Sequence, residues 1–182
     1  MEHLYYLVAQ LPAISVNDDS SQKLPLTVGY FKDLCSRFMS EKSAKLAEKL
    51  TLEPPVEPVS TGSVFLDEWY EKERCLRLAL AQIRALRMKK DIKDLPSASD
   101  GESIQAARTA TGMDSPLAAE QYLNQYRLGI LDRIAPMDSF SADAVYSYGL
   151  KLMLAERMKK FNKDEGLASY HKIYDEILGE KK

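Results

Sequence analysis

From Phe65 to Lys90 the chain runs without a glycine or a proline, and its charge changes from acidic to basic along the way. An unbroken stretch of this kind predicts one long helix, and a long helix needs neighbours to cover it. Asp67, Glu68, Glu71 and Glu73 fall in its first turns and Arg84, Arg87, Lys89 and Lys90 in its last, the order that complements the helix dipole. Phe65, Trp69, Leu76, Leu80 and Ile83 recur at spacings of four, seven, four and three, which places them in one stripe for burial. Ser63 stands where an N-cap is needed, and the helix is expected to finish between Met88 and Lys93, ahead of Pro96.

The remaining segments also read as helices. Leu4 to Ala9 is a short apolar run ended by Pro12 that fits either a strand or a buried helical turn, and a small terminal element tucked against helices is expected there. Asn17 to Pro25 is turn-rich, after which Phe31, Leu34, Cys35 and Phe38 give a helical stripe starting near Thr27. Ser40 caps a second short helix with Leu46, Ala47 and Leu50 on one face, and Pro54, Pro55 and Pro58 forbid helix from Thr51 to Gly62. Leu95 to Asp100 reads as loop, and Ser103 to Thr111 as one short helix before Gly112.

Three helices are expected in the last third. Ser115 followed by Pro116 is a strong start signal, with Leu117, Tyr122, Tyr126, Ile130 and Ile134 as the apolar face and Pro136 as the stop. Phe140 and Val145 flank Ser141 as a hydrophobic staple for a helix reaching about Phe161. Asn162 with Glu165 suggests a capping box, and Leu167, Tyr170, Ile173, Tyr174 and Ile177 form a last amphipathic stripe ending at Gly179. Short connections predict that these three pack as antiparallel neighbours.

The fold expected is therefore all-α: a multi-helix, bundle-like domain with a long central helix over about 65–90 and three C-terminal antiparallel helices. It spans 1–182 as a single domain, or as two lobes (1–93 and 103–182) joined by a loop at 94–102. Arg-Met-Lys-Lys occurs at 87–90 and again at 157–160, which fits either chance recurrence or an old duplication.

Composition narrows the function. A net charge of -2 provides no bulk attraction to nucleic acid or anionic membrane. Two cysteines, Cys35 and Cys75, make neither a disulfide framework nor a zinc set and fit a reducing cytoplasm with both thiols buried. The opening MEHLYYLVAQLP lacks a basic start and is broken by Pro12, so no signal peptide is expected, and no apolar run is long enough to span a bilayer.

Sites for chemistry are sparse. The glycines are isolated, without the Gly-Lys-Ser/Thr of a phosphate loop, and His3 and His171 have no ligand spacing around them, so neither metal nor cofactor is expected. Glu120 and Glu156 are more simply used in ion pairs with Arg127 or Arg157 than as an acid/base pair. Arg74, Arg77, Arg84, Arg87, Lys89 and Lys90 with Trp69 and Tyr70 nearby are the one set suited to a nucleic-acid backbone, but interspersed acids argue for a solvated face or a helix interface.

Specific motifs carry a resemblance. Tyr5 to Pro12, Phe31 with Leu34-Cys35, the Trp69 to Arg87 block with Glu73, Leu76, Arg77, Leu80 and Arg84, and Pro116-Leu117 with Glu120 and Leu131-Asp132 resemble an uncharacterised bacterial family encoded within operons for V/A-type rotary ATPases. The block from Phe140 to Leu178, with Tyr148, Leu150-Lys151-Leu152, Glu156-Arg157 and Gly166, extends the likeness over nearly the whole chain. Those operons generally lack an obvious gene for the helical C/d-type subunit that joins the central stalk to the membrane ring, and the last helices here are distantly similar to it, although this chain is shorter.

The resemblance implies a non-catalytic accessory or coupling subunit, cytoplasmic and peripheral to the membrane through the complex, whose partners are the central stalk and membrane ring. Trp69, Arg74, Arg77, Arg84, Arg87, Tyr148, Tyr170 and Tyr174 are the contact candidates. A free helical adaptor and a nucleic-acid-binding module are the alternatives.

Overall fold

The computed structural model describes residues 4–14, 24–90, 96, 98–159 and 163–179; the side chains of 163–165 are outside this set. Among the described residues there are eight helices and no strand: α1 Tyr5–Ala9, α2 Val28–Phe38, α3 Glu41–Glu48, α4 Val64–Arg87, α5 Gly101–Gly112, α6 Pro116–Arg133, α7 Ala142–Lys159 and α8 Lys163–Leu178. The all-α class is thus as read from the sequence. His3, the Asn162–Glu165 capping box, the end of the second Arg-Met-Lys-Lys and, before α5, residues 91–95 and 97 lie outside the described residues.

Side-chain caps set most of the helix starts. Ser40, Ser63, Ser115 and Ser141 accept from the N–H three residues ahead, as expected, and Thr27 does the same for α2. The start of α5 differs: the helix begins at Gly101, two residues before Ser103, with Asp100 as its cap, taking the Ser103 N–H at 3.1 Å. At the far end of α4, Lys89 adopts φ 54 and the Lys90 N–H reaches back to Ala85 O at 2.9 Å, a left-handed stop that ends the helix at Arg87.

Two apolar clusters form the interior. The larger joins α1, α2, α3 and α7 to the first turns of α4 (Phe65, Leu66, Trp69, Tyr70) and the last turns of α6 (Ile130, Leu131). The smaller joins the later part of α4 (Leu76, Ala79, Leu80) to α5 and to Leu123 of α6. Both α4 and α6 therefore run through both clusters.

Several faces are rotated from the sequence expectation. In α2, Phe38 is 41% exposed and the neighbouring Met39 is buried in its place. In α6 the buried positions are Leu123, Asn124, Arg127, Ile130 and Leu131, whereas Leu117 is exposed and Tyr122, Tyr126 and Ile134 are half-buried. The Phe140 ring packs at a tilt against Tyr5 with centroids 4.2 Å apart, and its carbonyl accepts the Leu4 N–H, so it fastens α1, the helical outcome of the open N-terminal segment, to the start of α7.

The largest difference concerns α8. Helices α6 and α7 are antiparallel neighbours, bridged by Glu120–Arg157 at 3.0 Å and Asp132–Lys151 at 2.6 Å. The third helix does not join them: from residue 166 to 179 every residue is exposed, and α8 has no substantial packing partner among the described residues. The flanks of α7 are already occupied by α2, α3, α4 and α6.

Candidate interaction surface

The contact candidates separate into interior and surface groups. Trp69 is fully buried in the larger cluster, so it is a core residue rather than a surface anchor, and its Nε1 has no acceptor among the described residues. Arg74 pairs with Glu71 and also donates to Pro55 O; Arg77 donates to Glu73 at 2.8 Å and to Leu52 O at 3.2 Å. These two arginines are committed to carboxylates of their own helix and to carbonyls of the proline-rich loop, which removes half of the arginine set from any nucleic-acid face. Arg84 and Arg87 are exposed, beside Leu86 and Met88 at the end of α4.

Tyr148 holds its own chain together. Its hydroxyl donates to Pro12 O at 2.8 Å, its ring lies 5.8 Å from Phe31, and burial pushes its phenol up to about 12. It edges a groove of about 460 Å³ formed by Leu11–Ile14, the α6–α7 turn and α7. The ammonium at that groove, Lys151, is paired with Asp132.

Sequence reasoning missed two polar assemblies. Glu73, 1% exposed, receives Arg127 through Nε to Oε2 at 2.9 Å and Nη2 to Oε1 at 3.0 Å, with Arg77 on the same carboxylate and the buried Asn124 beside Arg127. The signal was the spacing of seven between Trp69 and Leu76: Glu73 fills the skipped position of the stripe. Further along, Asp100 takes Lys72 at 3.2 Å and Ser103 Oγ at 2.5 Å, and Ser103 lies 3.2 Å from the Tyr126 hydroxyl. Burial opposes ionisation of Asp100, yet the bonds from Ser103 and Lys72 outweigh it and hold the carboxyl below its usual range. Both assemblies tie helices together, the first α4 to α6 and the second α4 to the start of α5 and to α6.

Tyr170 and Tyr174 are different. They stand exposed on α8 with rings stacked 5.9 Å apart, alongside Leu167, Ile173, Ile177 and Leu178, all about half exposed or more. Gly179 takes φ 69 after the helix, the left-handed stop expected there. Isolated apolar residues on a surface are ordinary, but six on one uncovered helix make a contiguous patch of the kind that marks an interaction site.

Among the described residues no group of three or more His, Cys, Asp and Glu could hold a metal ion, and no helix is long and apolar enough to cross a membrane. No protein family, curated protein or solved structure matches the chain at a significant level.

Proposed function

We propose that this chain is a non-catalytic accessory or coupling subunit of a bacterial V/A-type rotary ATPase, taking the place of the C/d subunit between central stalk and membrane ring. The observation that carries the reading is the uncovered apolar face of α8, which a chain with no partner would have reason to bury. The sequence resemblance supplies the identity of the assembly. The closely tied helical body agrees with a role in which the chain transmits force or holds a position.

The test is recovery of the tagged chain from its native host under conditions that keep the ATPase intact. Catalytic and stalk subunits in stoichiometric amounts support the proposal; their consistent absence rejects it. A nucleic-acid role predicts instead a steep fall of binding with salt, through counterion release, that weakens on charge reversal at Arg84 and Arg87.

A further inference from the structure

The apolar face of α8 is too wide for a single neighbouring helix. At 100° per residue its apolar positions cover an arc of about 140°, with Tyr170 and Tyr174 near the centre and Ile173 and Leu178 at opposite edges. A two-stranded pairing, including one between two copies of α8, covers only the narrower seam at heptad spacing, here Leu167, Tyr170, Tyr174 and Ile177. Ile173 and Leu178, 56% and 54% exposed, would stay in water on either side. Two flanking helices are needed to cover them.

Charge adds a second constraint. Among residues 166–178 the next charged residue beyond the Ile173 edge is Glu176, and beyond the Leu178 edge, past His171, it is Asp175, whereas Lys172 lies opposite the apolar face. An acid therefore borders each side. Carboxylates on both rims favour cations on both walls of whatever receives them, and such rim charges fix orientation more than affinity.

We propose that α8 seats in a groove between two helices of a partner chain, apolar along its floor and bearing lysine or arginine on both walls. Tyr170 and Tyr174 fill the floor, a use suited to aromatic anchors in helix-in-groove recognition. A helix of 16 residues with no substantial packing partner among the described residues is marginal in water, so the groove also supplies the burial that holds α8 helical. This inference rests on reading the chain as a subunit of a larger assembly, though not on which assembly.

Because α8 has no substantial packing partner among the described residues, changes on it are expected to leave the body of the protein folded. A photoreactive p-benzoylphenylalanine is placed in the full chain, in the native host, at Tyr170, Ile173 or Leu178, with the outward Lys172 position as control, and adduct peptides are sequenced by mass spectrometry. The expected result is adducts from Ile173 and Leu178 on two different helices of one partner chain and few from Lys172. Joint reversal, Asp175→Lys with Glu176→Lys, is expected to weaken recovery of that partner about tenfold at low salt. Adducts confined to one helix, adducts to a second copy of this chain, or edge adducts no more frequent than those from Lys172 would overturn the inference. If ATPase subunits are recovered but α8 yields no adducts, this inference falls and the proposed function stands; a two-helix pattern on an unrelated partner has the opposite meaning.

Discussion

Glu73 of α4 and Arg127 of α6 form a two-pronged ion pair at the changeover between the two apolar clusters. On α4 the larger cluster ends at Tyr70 and the smaller begins at Leu76; on α6 the smaller holds Leu123 and the larger resumes at Ile130. Each charged residue occupies the position between. Glu73→Gln, which leaves Arg127 buried without its counter-ion, is expected to cost about 3 kcal/mol or more in denaturant unfolding. Replacing the pair together, Glu73→Leu with Arg127→Met, is expected to be far milder, since Arg77 is partly exposed and can turn to water. A double variant no more stable than Glu73→Gln would reject this account.

Gly149 marks a close approach of α7 to Phe31 of α2 and to Leu50 just after α3. A Cβ there would stand 2.6 and 2.8 Å from ring carbons of the fully buried Phe31 and 3.0 Å from Leu50 Cδ1. Gly149→Ala, normally favourable within a helix, is therefore expected to destabilise by about 1–3 kcal/mol. A rise in thermal midpoint would show that Phe31 has room to move.

Lys89 has the opposite character. Its left-handed φ of 54 carries a side chain where glycine is free of steric penalty, and it lies exposed after α4. Lys89→Gly is expected to stabilise by about 0.5–1 kcal/mol, less whatever the added freedom of the unfolded chain removes. Calorimetry of the two proteins at one pH decides it.

Stability should fall at both ends of the pH scale for different reasons. For Asp67, burial opposes ionisation, but bonds from Thr61 and Ser60 outweigh it and hold the carboxyl below its usual value of 3.8; Asp100 is lowered as well. The unfolded chain takes up these protons first as pH drops, so their contribution is present above about pH 4 and is lost below it. At the alkaline end, burial raises the Cys35 thiol to about 12 from 9.0 and Tyr148 to about 12 from 10.0. The unfolded chain releases those protons first, and stability declines as pH rises above about 9. The same burial predicts that Cys35 resists alkylation at pH 8 until the protein unfolds; fast labelling of the native protein at that site would contradict it.

Helix existence was legible because its signals are local. Ser63, Ser115 with Pro116, and the three prolines after Thr51 act on their own neighbours, and the structure follows them to within a residue or two. Which side of each helix is buried was less legible, since that depends on partners distant in sequence. The α6 face turned because Arg127 is drawn inward by a carboxylate on α4, and a charged residue does not register in a search for apolar periodicity. Trp69 was read as an anchor because aromatics serve both cores and interfaces, and only the surrounding helices decide between them. For α8 the stripe was plain, but a stripe states that something must cover it without stating whether the cover belongs to the same chain.

Trp69 is the chain's only tryptophan, and it sits wholly within the larger cluster while α5 and the later turns of α4 belong to the smaller. Its fluorescence is therefore a local gauge. If the smaller cluster loosens first, the emission keeps the blue-shifted colour of a dry indole while helical circular dichroism is already falling; if the ion pair couples the two into one cooperative unit, colour and ellipticity change together.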